Sequence, residues 1–345
     1  MVREYKVGIL GASGAVGREV LNCLAARGFP YSEIRAMASE RSAGSRLEFP
    51  GGDLTVAAVT PESFQGLDLA IFSAGAAASR EFAPLAARCG CPVVDNSSCW
   101  RQDDRVPLVV PEVNPRALRG HRGIIANPNC STIQMLVALK PIYDAVGIRR
   151  IVVATYQAVS GTGQEAVEEL ADQTRQLFNL QEVARKVYPH RIAFNCLPQI
   201  DAFTENGYTR EEMKMLNETR KIFSDDRIMV SATCVRVPVF HGHSEAVWIE
   251  TGRPIEPGAA RELMRRAPGI LVVDEPENAR YPTPIDAVGR DEVFVGRVRA
   301  DLSCENGLTM WIVADNLRKG AATNAVEIAE LLIRDPELLK TSWEW

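Results

Sequence analysis

The chain has 345 residues, with 44 acidic against 39 basic side chains and a formal charge of −5. That length exceeds one ordinary hydrophobic core, so two domains are expected. The negative balance argues against nucleic acid as a partner, and no apolar run reaches membrane-spanning length. The opening Met1-Val2-Arg3-Glu4-Tyr5 lacks a signal-peptide core, which makes a cytoplasmic protein the expectation.

Residues 5–10 read as a buried strand, followed at once by Gly11-Ala12-Ser13-Gly14-Ala15-Val16-Gly17. A helix then carries Val16, Val20 and Leu24 on one face and stops near Gly28. A second strand runs from Ile34 to Ser39. Further strands are expected at 54–59, 67–72, 92–95 and 107–110, with a helical stretch near 76–88. This alternation predicts an open parallel sheet covered on both faces. An apolar stretch, Gly123 to Ala126, ends at Asn127-Pro128-Asn129-Cys130-Ser131-Thr132. An amphipathic helix follows, with Ile133, Leu136, Val137 and Lys140 at helical spacing.

The texture then changes. Arg150 to Val159 reads as a long strand and Gln164 to Gln181 as a polar helix. Residues 228–239, 244–251, 293–300 and 308–314 read as long strands of a mixed or antiparallel sheet with helices on one side. Gly320 to Ile333 reads as a helix whose Val326, Ile328, Ala329 and Leu332 return to the first domain. The expected division is therefore 1–130 with 320–345, and 131–319.

Gly8, Gly11, Gly14 and Gly17 flank a strand-to-helix turn, where glycine admits a pyrophosphate and the helix start supplies N–H donors. Their spacing departs from G-x-G-x-x-G. The second strand ends at Ser39, followed by Glu40, Arg41 and Ser42. A guanidinium with two hydroxyls suits a 2′-phosphate, which favours NADP over NAD. Cys130 falls in the first turn of its helix, with Asn129 as a possible cap. The dipole and unpaired N–H groups there stabilise a thiolate, and a thiolate is a nucleophile. The other seven cysteines show no metal-ligand spacing and are expected to pack as small apolar residues. His241, His243 and Glu245 would share a strand face and suggest a metal site. No fourth ligand presents itself and the chain has only two other histidines, so no metal is expected.

Gly11 to Gly17, Asp95-Asn-Ser-Ser98, Val110-Pro-Glu-Val-Asn114 and Asn127 to Thr132 together resemble the aspartate-β-semialdehyde dehydrogenase family. Thr155-Tyr-Gln-Ala-Val-Ser-Gly161, Arg236-Val-Pro-Val239, His243-Ser-Glu245 and Asp315-Asn-Leu-Arg-Lys-Gly320 extend the resemblance over essentially the whole chain. It implies an α/β protein with a Rossmann-like N-terminal nucleotide-binding domain and an α+β catalytic and dimerisation domain with a mixed sheet. It implies the interconversion of β-aspartyl phosphate and NADPH with aspartate β-semialdehyde, phosphate and NADP⁺, on the route to lysine, threonine and methionine.

Roles follow by position. Cys130 would be the nucleophile, His243 the general acid/base, and Gln157 the group that orients the acyl carbon. Arg236 would hold the substrate carboxylate, Glu211 its ammonium group, and Lys214 and Arg101 the phosphate, with Asn129 beside the substrate. Gly11, Ser13, Gly14, Ala15, Val16, Ser39, Arg41, Ser42, Ser73, Gly75, Ser160, Gly161 and Asn316 would contact NADP. Ser13 stands where many relatives have Thr, a change that keeps the hydroxyl. A homodimer is implied, joined through the second domain.

Plainer readings exist for several of these residues. Arg101 and Lys214 would otherwise be surface charges, Glu211 beside Glu212 a solvated helix face, and Gln157 a buried amide satisfying backbone. His121 and His190 are expected to be surface or packing residues. The nearest enzymatic alternative, N-acetyl-γ-glutamyl-phosphate reductase, carries its cysteine in Asn-Pro-Gly-Cys-Tyr, unlike Asn129-Cys130-Ser131. A phosphorylating glyceraldehyde-type dehydrogenase fits less well. A non-catalytic nucleotide-binding homologue would be expected to lose the cysteine or the histidine.

Overall fold

The computed structural model describes residues 3–50 and 52–342, so the last three residues of the 320–345 segment lie outside the described residues. The chain forms two compact units. One comprises the residues up to Asn129 together with those from Ala321 onward; the other is Cys130–Gly320.

The first unit is built from β1 (Tyr5–Leu10), α1 (Ala15–Ala26), β2 (Tyr31–Ala38), a short β3 (Arg46–Leu47) and β4 (Leu54–Thr55) ladder, β5 (Ala57–Ala58), β6 (Leu69–Phe72), α2 (Gly75–Arg88), β7 (Val93–Asp95) and β8 (Ile124–Ala126). Six strands pair in the order β5-β2-β1-β6-β7-β8, all parallel. The order reverses between β1 and β6, and an open parallel sheet binds ligands in the crevice at such a point. The strands are buried on both faces, as a parallel sheet requires. On one side Val7, Ile9, Ile71, Val94 and Ile125 join Val20 and Leu24 of α1. On the other, Phe72 meets Phe64, which meets Phe82 of α2.

The expected strand at 107–110 is absent. Leu108 makes only an isolated bridge to Ala126, and the edge strand is β8 instead. Pro107 and Pro111 bracket that segment. Proline has no N–H to give a ladder, so the segment runs beside the edge without extending the sheet. The expected 54–59 strand is broken into β4 and β5, which pair with different neighbours.

The second unit contains α3 (Cys130–Val146), β9 (Ile148–Gln157), α4 (Gln164–Phe178), α5 (Arg210–Phe223), β10 (Met229–Arg236), β11 (His243–Thr251), α6 (Pro257–Arg266), β12 (Ile270–Val272), α7 (Pro284–Ala287), β13 (Val293–Ala300) and β14 (Gly307–Ala314). Its sheet runs β10-β9-β11-β14-β13-β12, with parallel pairs at both edges and antiparallel pairs between them. α3, α5 and α6 cover one face. α3 is not amphipathic in effect, because Ser131 to Leu139 are all buried. It lies between the sheet and its two helical neighbours, so its polar Ser131, Thr132 and Gln134 are inside.

A final helix, α8 (Thr323–Arg334), belongs to the first unit, where Val326, Ile328, Ala329 and Leu332 enter the same core as α1. It ends before Asp335-Pro336, since the residue before a proline is pushed out of helical geometry. The cysteines pack less uniformly than expected. Cys23, Cys91 and Cys234 are buried, but Cys89 and Cys196 are exposed; all eight are free thiols.

Candidate active site

Cys130 is the first residue of α3, so its thiol lies at the positive end of the dipole. It is partly exposed. A Cβ placed on Gly320 would lie 2.8 Å from the Cys130 Cβ, which explains a glycine beside the thiol.

His243 begins β11 and is fully buried. Its Nδ1 accepts the Ala158 backbone N–H at 3.0 Å. Its Nε2 has no hydrogen-bond partner among the described residues. Burial, reinforced by the Arg236 guanidinium, holds the imidazole well below its usual range, so it is neutral at pH 7. Arg236 ends β10 and donates from Nη1 to the Ala158 carbonyl at 2.6 Å, while its Nε is unpartnered among the described residues. A Cβ on Gly161 would sit 3.1 Å from both Arg236 Nη1 and His243 Nε2. Ala158 thus ties two polar side chains to one turn, and Gly161 leaves the space between them open.

Gln157 ends β9 and is buried. Its Nε2 donates to Glu211 Oε1 at 3.2 Å, and its Oε1 accepts from Thr155 at 3.1 Å. The amide is therefore used by side chains and does not satisfy backbone. Glu211 and Glu212 are both buried, so they are not a solvated face. They separate by function. Glu212 closes a capping box with Thr209 at the start of α5 and accepts the Cys234 backbone N–H at 2.9 Å. Glu211 faces Gln157 and takes Lys214 Nζ at 2.9 Å. Lys214 also reaches Asp201 at 3.1 Å. Burial works against its ammonium, but the Glu211 and Asp201 carboxylates outweigh that and raise its pKa. Asp201, a non-glycine residue at φ +69°, carried no sequence signal.

Ser160 and Asn316 are buried and exchange hydrogen bonds at 3.0 and 3.2 Å, and Asn316 Oδ1 accepts the Gly242 N–H at 3.0 Å. His241 lies outside β11, so only His243 and Glu245 share the strand face. Among the described residues no cluster of three or more His, Cys, Asp or Glu is placed to hold a metal ion. His121 packs, with Nε2 against the Leu338 carbonyl at 2.7 Å, and His190 is exposed.

The first unit presents a separate set. Gly11 has φ +86°, and a Cβ there would strike the Ser73 carbonyl at 2.6 Å; a Cβ on Gly17 would strike the Gly11 carbonyl at 2.1 Å. The glycines let the turn after β1 fold tightly against its own helix and against the end of β6. Gly14 precedes α1, no side chain caps that helix, and its first turn holds no acidic residue. Ser13, Ala15 and Val16 line this open start. Gly75, at φ +84°, begins α2 with nothing within 4 Å of its would-be Cβ. An uncapped helix start that follows Gly14, with the bare Gly75 at the start of α2, fits a pyrophosphate, so these residues fit a dinucleotide. Ser39, Glu40 and Arg41 are exposed on the turn after β2, with Ser42 half-buried.

Arg101 is not a surface charge. It is buried, and donates to the Asn127 carbonyl at 2.9 Å and the Asn96 carbonyl at 2.8 Å. Asn127 in turn binds Asn96 Oδ1 at 2.7 Å, and Asn96 binds Ser73 Oγ at 2.9 Å. Asn129, the last residue of this unit's first segment, is buried.

The sequence and fold are similar to those of known proteins. Residues 6–121 match the family model "Semialdehyde dehydrogenase, NAD binding domain", and residues 139–319 match "Semialdehyde dehydrogenase, dimerisation domain". An aspartate-semialdehyde dehydrogenase of Aquifex aeolicus is 58% identical over 335 residues, covering 96% of this chain and 98% of that protein. The crystal structure of aspartate semialdehyde dehydrogenase II from Vibrio cholerae complexed with ASA is 53% identical, with a TM-score of 0.94 over 96% of this chain and 99% of that one. The Candida albicans enzyme with NADP is 27% identical, with a TM-score of 0.76 over 97% of this chain and 100% of that one. With both domain models matched in order and such identity over nearly its full length, the chain belongs to the aspartate-semialdehyde dehydrogenase family.

Proposed function

We propose that this enzyme reduces L-aspartyl-4-phosphate to L-aspartate 4-semialdehyde, reversibly, with NADPH as cofactor and a thioester on Cys130. The observation that carries the reading is the pairing, in one unit, of a helix-start thiol with a buried neutral imidazole beside a buried guanidinium.

The Cys130 thiolate attacks the acyl carbon, the C–O bond to phosphate breaks, and a thioester remains. Arg236 takes the substrate α-carboxylate as a fork, and its unpartnered Nε supports that role. Glu211 meets the α-ammonium group, and Gln157, held by Glu211, orients the acyl group. Lys214 contacts phosphate; Arg101 receives the same role from the family pattern alone. When bound, the reduced nicotinamide supplies the hydride that the thioester carbon accepts. His243 donates a hydrogen bond from Nε2–H to the thioester's carbonyl oxygen, which turns negative as the hydride adds. The oxyanion re-forms the carbonyl as the C–S bond breaks, the aldehyde leaves, and the thiolate returns.

In the first unit, Gly11, Ser13, Gly14, Ala15 and Val16 would hold the pyrophosphate, with Ser73 and Gly75 beside them. Ser39, Arg41 and Ser42 would hold the 2′-phosphate that distinguishes NADP from NAD. Ser160, Gly161 and Asn316 of the second unit would face the nicotinamide.

The test is reduced-nicotinamide absorbance with aspartate semialdehyde, phosphate and NADP⁺, in the wild type and in Cys130→Ser. Turnover is expected in the first and none in the second, because an alkoxide is far harder to generate than a thiolate. An inactive wild type, or near-normal activity in Cys130→Ser, would overturn the reading.

A further inference from the structure

Glu245 is fully buried two residues after His243 on the same face of β11. Neither carboxyl oxygen makes a hydrogen bond of full geometry among the described residues, although the Ser131 hydroxyl and the Gln134 amide of α3 lie close enough to act on the carboxyl. Its neighbours are uncharged. Thr155 of β9 and Ile312 of β14 are its register partners, α3 presents Ser131 and Gln134, and β10 contributes the Cys234 thiol. Gln134 spends its amide nitrogen on the His243 carbonyl at 3.4 Å, which leaves Gln134 Oε1 also without a donor. The Glu245 carboxyl and the Gln134 carbonyl oxygen thus share a closed interior with no hydrogen bond formed by either group's oxygens, which costs free energy unless a proton sits between them. A carboxylic acid supplies that proton; a carboxylate does not.

We propose that Glu245 is a positioning residue of the catalytic centre, a carboxylic acid that donates its hydrogen to Gln134 Oε1 and so clamps the start of β11 to the helix that begins at Cys130. The chain runs Glu245, Gln134, His243 carbonyl, so one amide holds both the histidine strand and the cysteine helix. Burial pushes the Glu245 carboxyl well above its usual range, in keeping with a retained proton. The role rests on the reading of Cys130 and His243 given above.

The test compares Glu245→Gln, Glu245→Leu, Gln134→Leu and the Glu245→Leu/Gln134→Leu pair. Glu245→Gln keeps a donor of the same shape and should retain kcat within roughly threefold of wild type. Glu245→Leu should lose about tenfold or more in kcat with KM little changed, as misplacement of a catalytic group does. The double variant should be no worse than the poorer single one, because both cut one link. Alkylation of Cys130 by iodoacetamide, read by peptide mass spectrometry to separate it from exposed Cys89 and Cys196, should change rate in Glu245→Leu and not in Glu245→Gln. If Glu245→Leu does not fold, Gln134→Leu cuts the same link from the helix side. Equal loss in Glu245→Gln and Glu245→Leu, additive effects in the double variant, or full activity in Glu245→Leu would overturn the clamp. A wild type inactive on aspartate semialdehyde would instead overturn the assigned reaction, and the alkylation comparison would still decide the clamp.

Discussion

His243 Nδ1 accepts the backbone N–H of Ala158 at 3.0 Å, and that single bond decides which ring nitrogen carries the proton. A neutral imidazole with Nδ1 as acceptor must hold its hydrogen on Nε2. Nε2 is also the nitrogen that would meet a Cβ on Gly161, beside Arg236. The resting tautomer is therefore a hydrogen-bond donor, suited to the negative charge that hydride addition places on the acyl oxygen.

His243→Asn should lower kcat by about 10²–10⁴, the usual worth of a positioned acid/base. It should also change acid stability. The folded pKa lies well below the ordinary 6.5, so the unfolded chain takes up a proton there that the native protein refuses. That contribution is present above pH 6.5 and is lost as pH falls toward the folded value. Urea titrations between neutral and acid pH should show a shallower stability loss in His243→Asn than in wild type. Equal slopes would show that His243 does not titrate as its burial requires.

Glu211 and Glu212 should fail in different ways. Glu212→Ala removes a helix cap and leaves the Cys234 N–H without its acceptor, so it should cost about 1–3 kcal/mol of stability, read by urea unfolding. Glu211→Gln keeps the shape but takes the charge from Lys214, and should raise KM for aspartate semialdehyde at nearly unchanged stability. A variant pair with the two phenotypes exchanged would reverse the assignment.

How far the sequence could be read differed by kind of feature. The Asn-Pro-Asn-Cys run placed Cys130 at a helix start because apolar periodicity changes there, a local signal. The long strands of the second unit were legible from their β-branched content. The different partners of Glu211 and Glu212 were not, because a glutamate that closes a capping box and one that pairs with Gln157 and Lys214 look alike in a Thr-Arg-Glu-Glu string. Only the strand that approaches α5 separates them. The His243 tautomer was equally hidden, since it depends on a backbone group 85 residues away. The 107–110 segment misled because its apolar content outvoted Pro107 and Pro111, whose missing N–H groups decide the matter.

Arg41 is exposed on the turn after β2, with no ion pair among the described residues, so its guanidinium is open to a ligand phosphate. Arg41→Ala should weaken NADP by roughly tenfold or more, the worth of a charge-assisted phosphate contact, and leave NAD little changed. Fluorescence titration with both cofactors checks it. Equal loss for both would place Arg41 elsewhere and turn attention to Glu40 as a ribose ligand.

Assembly follows from the sheet of the second unit. α3, α5 and α6 cover one face only. The other carries half-buried Trp248 and Trp311 and a 39%-exposed Tyr156, with Tyr156 and Trp311 rings 5.4 Å apart. A hollow of about 340 Å³ lies there, lined by Trp248, Tyr281, Met310 and Trp311 among others. Aromatic side chains left on an open sheet face usually mark an interface. The matching family model is described as a dimerisation domain, and a two-fold partner would set this face against its own copy. The enzyme should therefore sediment at twice 37.9 kDa. Trp311→Glu would place a charge in the middle of that surface and should shift the equilibrium toward monomer by several kcal/mol, the cost of burying an unpaired carboxylate. The same substitution is far milder if the face stays wet. Sedimentation equilibrium across a dilution series of both proteins separates the cases: a wild type that remains a fully active monomer at every concentration would leave this face without the partner assigned to it.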